Sequence, residues 1–237
     1  MLILLPNLLD ETADHTYFLP KAVEEAVFEM EGLIAEDEKN ARKFLKRFSY
    51  SQGRTFRNIP IKLLNEHSKK TDLEELLALL KQGKTWGLVS DCGLPCIADP
   101  GADLVFLARK HHIPVKTLPG PSSLMMALQL SGLYSQQFTF SGYLPKDESA
   151  MHTALKVMEK EILEKAMVYV FIEAPYRSDK LLMQLQKYLN EKIILCAACD
   201  LTMESEDVTV LPISQWKKEN LIKFHKRQMV CVVGKAR

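Results

Sequence analysis

Two aspartates lie in the segment whose residue types and spacing best fit a chemical site. The segment VSDCGLPCIADPG, residues 89–101, carries Asp91 and Asp99 together with two glycines, two prolines and two cysteines. Carboxylates bind cations and hydroxyl groups, and they act as general bases. Proline restricts the chain, whereas glycine permits a close approach of the backbone to a ligand. The segment therefore predicts a shaped loop at a binding site.

Four further loops bent by proline or glycine follow predicted strands. They are LPNLL (5–9), LPGPSS (118–123), IEAPYR (172–177) and CAACDLT (196–202). Because ligands of open α/β sheets bind outside the carboxyl ends of strands, we expect the five loops to converge on one crevice. Ser122 or Ser123 has the alternative role of a helix N-cap. The loops lack the glycine patterns of dinucleotide and ATP sites, which disfavours NAD and ATP.

The five cysteines offer a rival hypothesis. Cys92 and Cys96 are four residues apart, and Cys196 and Cys199 form C-x-x-C. A zinc site would require the two pairs to meet, and a thioredoxin-like pair should open a helix rather than continue a strand. We therefore predict free thiols, no metal and, without a secretory signal, a cytoplasmic protein. No window is long and apolar enough to predict a membrane span.

The elements that must position these loops alternate between strands and helices. Residues 1–119 predict an α/β domain with a mainly parallel sheet and helices on both faces, and residues 120–237 predict an α+β domain with a mixed sheet. Thr71 and Glu74 predict a capping box at the start of one helix. A hydrophobic content of 47% and a net charge of +1 are ordinary for a globular protein and decide nothing about nucleic acid.

One segment is strongly basic, residues 39–62. It holds no acid, and Phe44, Phe48, Tyr50 and Phe56 are interleaved with its cations. Positive charge with aromatic rings suits RNA, through phosphate contacts and base stacking. The alternative is a solvated helix face with core aromatics. The cations are Lys39, Arg42, Lys43, Lys46, Arg47, Arg54, Arg57 and Lys62.

Taken in order, several segments resemble the tetrapyrrole methylase superfamily, and most closely the ribosomal RNA small subunit methyltransferase I family. They are AEDEKNARKFLKRF (35–48), NEH (65–67), VSDCGLPCIADPG, LPGPSS, SGL (131–133), GYLP (142–145) and EAPYR (173–177). The resemblance implies a homodimer that binds S-adenosylmethionine between its two domains and methylates the ribose 2′-hydroxyl of a cytidine. The chain departs from the family pattern near Pro6 and at Leu94, Tyr176, Cys199 and Met203.

The resemblance implies the cofactor contacts, whereas the substrate contacts and the catalytic base are predicted from charge and from carboxylate chemistry. The expected cofactor contacts are Pro6, Asp91, Leu94, Ile97, Ser122, Ser123, Glu173, Ala174, Ala198 and Cys199. The expected substrate contacts are Arg42, Lys46, Arg47 and Arg177. Candidates for the catalytic base are Asp37, Asp91 and Asp99, with Glu36 beside them. Two alternatives stay open: Asp99 caps the following helix, and Glu173 pairs with Arg177. The alternative functions are methylation of a small molecule such as a tetrapyrrole, and a non-catalytic descendant that binds cofactor or RNA.

Overall fold

The computed structural model describes residues 1–50 and 53–236, so Ser51 and Gln52 of the basic segment lie outside the described residues. The chain forms two compact units, Met1–Ser122 and Ser123–Arg237, which we call the N-terminal unit and the C-terminal unit. The predicted boundary after residue 119 falls in the same LPGPSS segment as the observed division.

The N-terminal unit is built on a five-stranded sheet in the order β3-β2-β4-β1-β5, in which every pairing is parallel. Leu5 of β1 and Ala35 of β2 both lie opposite Val89 of β4, so these three strands end level with one another. The loops that follow them therefore leave from one edge of the sheet. The strands are Leu2–Leu5 (β1), Gly32–Ala35 (β2), Ile61–Leu63 (β3), Trp86–Val89 (β4) and Val115–Thr117 (β5).

Helices cover both faces of this sheet. Alternate residues of a strand point to opposite faces, so Ile3 and Leu5 join the core under α1 and α2, whereas Leu2 joins the core under α3 and α4. The predicted parallel α/β fold is confirmed. The helices are Lys21–Glu29 (α1), Glu38–Lys46 (α2), Lys70–Lys81 (α3) and Gly101–Lys110 (α4), with a short 3-10 turn at His15–Tyr17.

The start of α3 differs from the prediction. The helix begins at Lys70, one residue before the expected cap Thr71. The backbone N–H of Lys69, the N-cap residue, donates to the Asp72 carboxylate at 2.7 Å, so Asp72 has the role that the prediction gave to Glu74. The predicted capping box of Thr71 and Glu74 is therefore wrong, because Asp72 lies three residues after the true N-cap position.

The C-terminal unit has a mixed sheet in the order β6-β7-β10-β8-β9, as predicted. Only β6 and β7 pair in parallel, and the other pairings are antiparallel. Helices α6 and α7 cover one face and α5 contacts β10, β8 and β7. The strands are Phe138–Tyr143 (β6), Val168–Glu173 (β7), Ile194–Cys199 (β8), Asp207–Pro212 (β9) and Met229–Gly234 (β10).

The helices of the C-terminal unit are Ser123–Leu130 (α5), Glu148–Lys165 (α6), Ser178–Tyr188 (α7) and Lys218–Lys223 (α8), with 3-10 turns at Pro175–Arg177 and Ile213–Gln215. Across residues 1–50 and 53–236, none of the helices combines the length and the apolar composition that a membrane crossing requires.

Candidate functional site

Asn7 joins the loop after β1 to the loop after β4. Its buried side chain donates from Nδ2 to the carbonyl oxygens of Ser90 at 3.1 Å and Asp91 at 2.9 Å. Its Oδ1 accepts from the backbone N–H of Leu8, and its own backbone N–H donates to the carbonyl of Gly93 at 2.7 Å. Three of these four hydrogen bonds, each contributing roughly 0.5–1.5 kcal/mol, fix the two loops to each other, and the fourth holds the Asn7 side chain within its own loop. Asn7 is not among the predicted site residues, although a polar residue directly after a strand-ending proline is a signal for such a role.

Pro6 joins the loop after β1 to the loop after β5. Pro6 is buried, and a Cβ placed on Gly120 would lie only 2.1 Å from the Pro6 Cβ. No side chain fits in that space, so glycine is required for the two loops to touch. The ends of β1, β4 and β5 therefore meet within the N-terminal unit, as the prediction of converging loops requires for this half of the chain.

The loop between β4 and α4 is held in an unusual backbone conformation. Gly93 has a φ of 71°, and the non-glycine residues Cys96 and Ala98 have φ values of 69° and 62°. A left-handed conformation costs roughly 1–3 kcal/mol for a residue with a side chain, and such residues cluster at ligand sites. The surrounding hydrogen bonds maintain this conformation.

Asp99 supplies those hydrogen bonds. One carboxylate oxygen accepts from the backbone N–H of Cys96 at 2.5 Å, and the other accepts from the N–H of Gly101 at 2.7 Å, at the first residue of α4. Burial raises the pKa of the Asp99 carboxyl above its ordinary value. The contacts of Asp99 therefore match the alternative role, in which it caps the start of the following helix. Both of its carboxylate oxygens accept hydrogen bonds from backbone N–H groups of the loop and of the first residue of α4.

Asp91 differs from Asp99 in that its backbone is fixed while its side chain is exposed. Its backbone is fixed from both sides, because its carbonyl accepts from Asn7 and its N–H lies 3.3 Å from Oε1 of Glu36. Its side chain is exposed, and within the described part of the chain the carboxylate forms no hydrogen bond. Ile97 leaves 45% of its side chain exposed on the same loop, beside the half-buried Leu94. A free carboxylate and an exposed apolar side chain on a rigid loop fit a ligand with hydroxyl or amino groups and an apolar part.

Two more carboxylates lie at the end of β2. Glu36 is half-buried, and burial, followed by the negative charges of Asp99 and Asp91, raises the pKa of its carboxyl. Asp37 is exposed and accepts from the N–H of Asn40 at 2.8 Å, so it is the N-cap of α2. Glu36 thus bridges two strand ends, whereas Asp37 terminates a helix.

In the C-terminal unit, Glu173 pairs with Arg177, as the alternative reading of these residues predicted. Glu173 is only 1% exposed, and burial raises the pKa of its carboxyl. Its Oε1 accepts from the N–H of Ala174, and its Oε2 lies 3.1 Å from Nη2 of Arg177 as an ion pair without hydrogen-bond alignment. That Nη2 donates to the carbonyls of Leu144 and Pro145. The pair ties the end of β7 to the end of β6.

The loop after β8 is also strained. Ala198 and Cys199 are buried within β8, between β10 and β9, so the backbone outside the sheet begins at Asp200. Asp200 and Thr202 have φ values of 50° and 76°. Arg227 holds the loop by donating to the Asp200 carboxylate at 2.6 Å, and the buried hydroxyl of Thr202 has no hydrogen-bond partner among the residues described.

All five cysteines are free thiols. Cys196 and Cys231 are buried in the sheet, and burial raises the pKa of Cys196 to about 12, which keeps that thiol protonated. Burial also raises the pKa of Cys96 to about 12. Over residues 1–50 and 53–236, no group of three or more histidine, cysteine and acidic side chains is placed to hold a metal ion.

The basic segment divides into structural and exposed parts. Phe44 and Phe48 are 1% and 4% exposed, so the hypothesis that these two rings stack on bases is wrong, because they complete the core. Arg42 also has a structural role, because its Nη1 donates to the carbonyls of Phe56 at 2.8 Å and Ile59 at 2.9 Å. Lys46 is exposed.

A depression of about 380 Å³ lies beside the exposed part of this segment and is lined by Glu11, Thr12, Lys43, Lys46 and Arg47. Lys43 pairs with the Glu11 carboxylate at 2.7 Å, and Nη1 of Arg47 donates to the Glu11 carbonyl at 2.8 Å. The buried Nε of Arg47 has no partner in the described ranges. The depression therefore combines three cations with one acid.

Comparison with solved structures supports the fold. The crystal structure of the methyltransferase CobJ matches with a TM-score of 0.63 and 15% identity over 99% of this chain and 93% of that chain. Uroporphyrin-III-C-methyltransferase from Thermus thermophilus matches with a TM-score of 0.58 and 14% identity, over 99% and 91% of the two chains. At such identities the likeness shows the fold alone.

Comparison with curated proteins gives nearer relatives, each called ribosomal RNA small subunit methyltransferase I. The protein of Xylella fastidiosa is 35% identical over 74% of this chain and 60% of its own length. That of Escherichia coli O157:H7 is 32% identical over 85% and 67%, and that of Thermotoga maritima is 32% identical over 71% of each. The chain thus spans 60–71% of the lengths of these relatives.

The family model for tetrapyrrole (corrin/porphyrin) methylases matches residues 20–216, well over half of the chain. The match includes the loop that carries Asp91 and Asp99 and the Glu173–Arg177 pair. The chain belongs to the tetrapyrrole (corrin/porphyrin) methylase family and, within it, to the family of the ribosomal RNA small subunit methyltransferases I, which confirms the resemblance of its motifs.

Proposed function

We propose that this protein is an S-adenosylmethionine-dependent methyltransferase that modifies a ribose 2′-hydroxyl of small subunit ribosomal RNA. The observation that carries the proposal is the loop of residues 90–101: it is strained, it is fixed to two neighbouring strand ends, and it presents the free carboxylate of Asp91. The names of the relatives support the substrate.

The residues present fit the cofactor. The cofactor supplies an electrophilic methyl group on a sulfonium, so the protein mainly has to align an oxygen nucleophile with it. In the N-terminal unit, we propose contacts by Pro6, Asp91, Leu94, Ile97 and Ser122. Asp91 suits the hydroxyl or amino groups of the ligand, and Leu94 and Ile97 suit its apolar parts. In the C-terminal unit, we propose contacts by Ser123, Glu173, Ala174, Ala198 and Cys199, with Glu173 positioning Ala174 by accepting a hydrogen bond from its N–H.

The carboxylates divide between two roles. Asp37 and Asp99 use their oxygens to cap backbone N–H groups, which supports a positioning role for both. Asp91 has a free carboxylate, and Glu36 has a raised pKa next to it. A base with a raised pKa accepts a proton more readily near neutral pH. We therefore propose Asp91 or Glu36 as the group that receives the 2′-hydroxyl proton.

For the RNA, we propose contacts by Lys46 and Arg47 at the depression that they line with Lys43. Lys43 and Lys46 lie on α2 and Arg47 is its C-cap residue, and such cations suit backbone phosphates. Arg42 on the same helix has a structural role, because it donates to the carbonyls of Phe56 and Ile59. Arg177 remains a proposed substrate contact.

We further propose that the protein works as a homodimer in the cytoplasm. Small subunit ribosomal RNA and a reducing environment are both found there, and the five free cysteines match that environment. Sedimentation equilibrium of the purified protein tests the dimer directly, and a single species with the mass of one chain would contradict it.

The test of the function is mass mapping of ribosomal RNA from cells with and without the gene. We expect one 2′-O-methyl group on small subunit RNA to disappear with the gene and to return with the parent protein but not with Asp91→Asn. Purified protein with labelled S-adenosylmethionine should label small subunit RNA and leave a tetrapyrrole unlabelled. Labelling of the tetrapyrrole alone would show a small-molecule methylase, and binding without any transfer would show a non-catalytic descendant.

A further inference from the structure

A small basic cavity lies in the C-terminal unit, on one face of α7. Its volume is about 180 Å³, several times the ~30 Å³ that a water molecule occupies in the liquid. Arg177, Lys180, Leu181 and Gln184 recur every three or four residues, so they share a helix face, and Lys146 faces them from the start of α6. The cavity is thus lined by three cations and one amide.

Gln184 is the unusual member of this lining. It is only 8% exposed, and its side chain forms no hydrogen bond with any described residue. Its amide oxygen and nitrogen are not sealed in the core, so they reach the open space of the cavity. Because Gln184 lines the cavity, its amide group is available to whatever occupies that space.

Arg177 has a fixed guanidinium in the same cavity. Its side chain is 13% exposed, paired with the buried Glu173, and tied through Nη2 to the carbonyls of Leu144 and Pro145. Its Nη1 and Nε donate to none of the described residues. The guanidinium is therefore fixed by one nitrogen and offers the others, which is the geometry that suits a planar or tetrahedral oxyanion.

The charge balance of the cavity is positive. Lys146, Arg177 and Lys180 stand against one carboxylate, that of Glu173, which is engaged by Arg177. The neighbouring acids are engaged elsewhere: Asp147 accepts from the N–H of Ala150, Glu148 accepts from Lys187 and the Tyr188 hydroxyl, and Asp179 lies 2.7 Å from Nδ1 of His225. An anionic ligand would therefore meet uncompensated positive charge.

We propose that this cavity binds a phosphate group, with Arg177, Lys146 and Lys180 neutralising its charge and Gln184 donating to one of its oxygens. The phosphate of an RNA strand and free inorganic phosphate share this chemistry. Assignment to an RNA strand rests on the proposed function, whereas the phosphate site itself does not. If RNA carries the group, the cavity holds one backbone phosphate of the strand.

The first arm of the test uses inorganic phosphate alone. Thermal unfolding is followed as phosphate replaces chloride at constant ionic strength, for the parent and for Lys180→Ala, Gln184→Leu and the exposed control Lys156→Ala. We expect phosphate to stabilise the parent and the control equally. Lys180→Ala should weaken phosphate binding by about tenfold or more, and Gln184→Leu by about 3- to 10-fold. Without phosphate, Gln184→Leu should unfold at the same or a higher temperature, which shows that its loss of binding is not a loss of folding.

The second arm uses a single-stranded RNA oligonucleotide at several salt concentrations. If RNA supplies the phosphate, Lys180→Ala should lower the dependence of log K on log salt by about 0.7, and Gln184→Leu should weaken RNA binding without changing that slope. If the variants bind phosphate more weakly but keep the salt dependence and the affinity of RNA binding, the phosphate site is supported and its ligand is a free anion.

Absence of phosphate stabilisation in the parent, or equal stabilisation in parent, Lys180→Ala and Gln184→Leu, would overturn the proposal. The proposed methyltransferase function has its own readout. A protein that binds phosphate as expected but does not methylate RNA would retain this site and lose that function.

Discussion

The side-chain amide nitrogen of Asn7 lies 2.9 Å from the carbonyl oxygen of Asp91 and joins the end of β1 to the loop after β4. Glu36 holds the N–H of the same Asp91 from the other side. The Asp91 carboxylate thus projects from a backbone that two separate strands keep in place. Such support of a functional side chain by buried neighbours is what a precise binding site requires.

Asn7→Asp removes the two donated hydrogen bonds while keeping the size of the side chain and its acceptor for the Leu8 N–H. A carboxylate facing two carbonyls should lower the free energy of unfolding by about 2–4 kcal/mol. Urea denaturation measures this loss, and isothermal titration should show weaker S-adenosylmethionine binding. The control Asn58→Asp is exposed and should change neither quantity. Equal stability of Asn7→Asp and the parent would show that these bonds contribute nothing.

Gly120→Ala places a Cβ where the Pro6 ring lies. The clash should cost about 1–3 kcal/mol, because an overpacked contact forces the backbone to shift. The matched control is the double variant Pro6→Gly with Gly120→Ala, in which the clashing ring is gone. We expect a favourable coupling energy of about 1 kcal/mol or more from the double-mutant cycle, measured by chemical denaturation. Additive effects of the two changes would contradict the contact.

Glu173→Gln should alter the pH dependence of stability. Burial raises the pKa of the Glu173 carboxyl above its ordinary value of 4.5, so the folded state holds this proton more tightly than the unfolded state. The contribution of Glu173 to the free energy of unfolding therefore falls as the pH rises from about 4.5 through the folded pKa. The glutamine variant lacks this titration, so the difference in unfolding free energy, parent minus variant, should become smaller with rising pH.

Urea denaturation at several pH values measures that difference. A parent-minus-variant difference that grows with pH would mean that the ion pair with Arg177, rather than burial, dominates the titration of Glu173.

Arg42→Ala and Lys46→Ala remove one cation each from the same helix and should have opposite consequences. Arg42 donates to the carbonyls of Phe56 and Ile59, so its loss should lower the free energy of unfolding by about 1–3 kcal/mol and leave the salt dependence of RNA binding unchanged. Lys46 is exposed, so its loss should change stability by less than about 0.5 kcal/mol and reduce the salt slope by about 0.7. Urea denaturation measures the change in stability, and RNA titration at several salt concentrations measures the change in salt slope. A stable Arg42→Ala with a reduced salt slope, or a destabilised Lys46→Ala with an unchanged slope, would refute the roles given to these two residues.

Much of the fold was predictable because its strands are short apolar runs between helices with apolar stripes. β3 is not predictable in this way, because Ile61–Leu63 is a three-residue edge strand whose Leu63 is 46% exposed, so no apolar pattern marks it. The cap of α3 was misplaced because Thr71 and Asp72 both lie near its start, and only the backbone geometry shows which side chain reaches the free N–H.

The candidate site was predictable in its loops but not in the roles of its side chains. Asp91 and Asp99 are identical residues eight positions apart, yet one is free and the other caps the loop. Arg42 has the same charge as Lys46, but carbonyls 14 to 17 residues away occupy it. The spacing of residues along the chain does not reveal such distant partners. The sequence therefore cannot separate the structural cations of the basic segment from the exposed ones.

The order of strands in the N-terminal sheet has a consequence for synthesis. Leu2 of β1 pairs with Trp86 of β4 and with Val115 of β5, so the earliest strand of this unit is enclosed by two strands that are made much later. At ~5–20 residues per second, the β1 segment of a growing chain waits roughly 4–17 s for its first neighbour. During that interval its apolar residues have no native sheet to join, so this stage of synthesis leaves β1 open to pairing with the wrong strand.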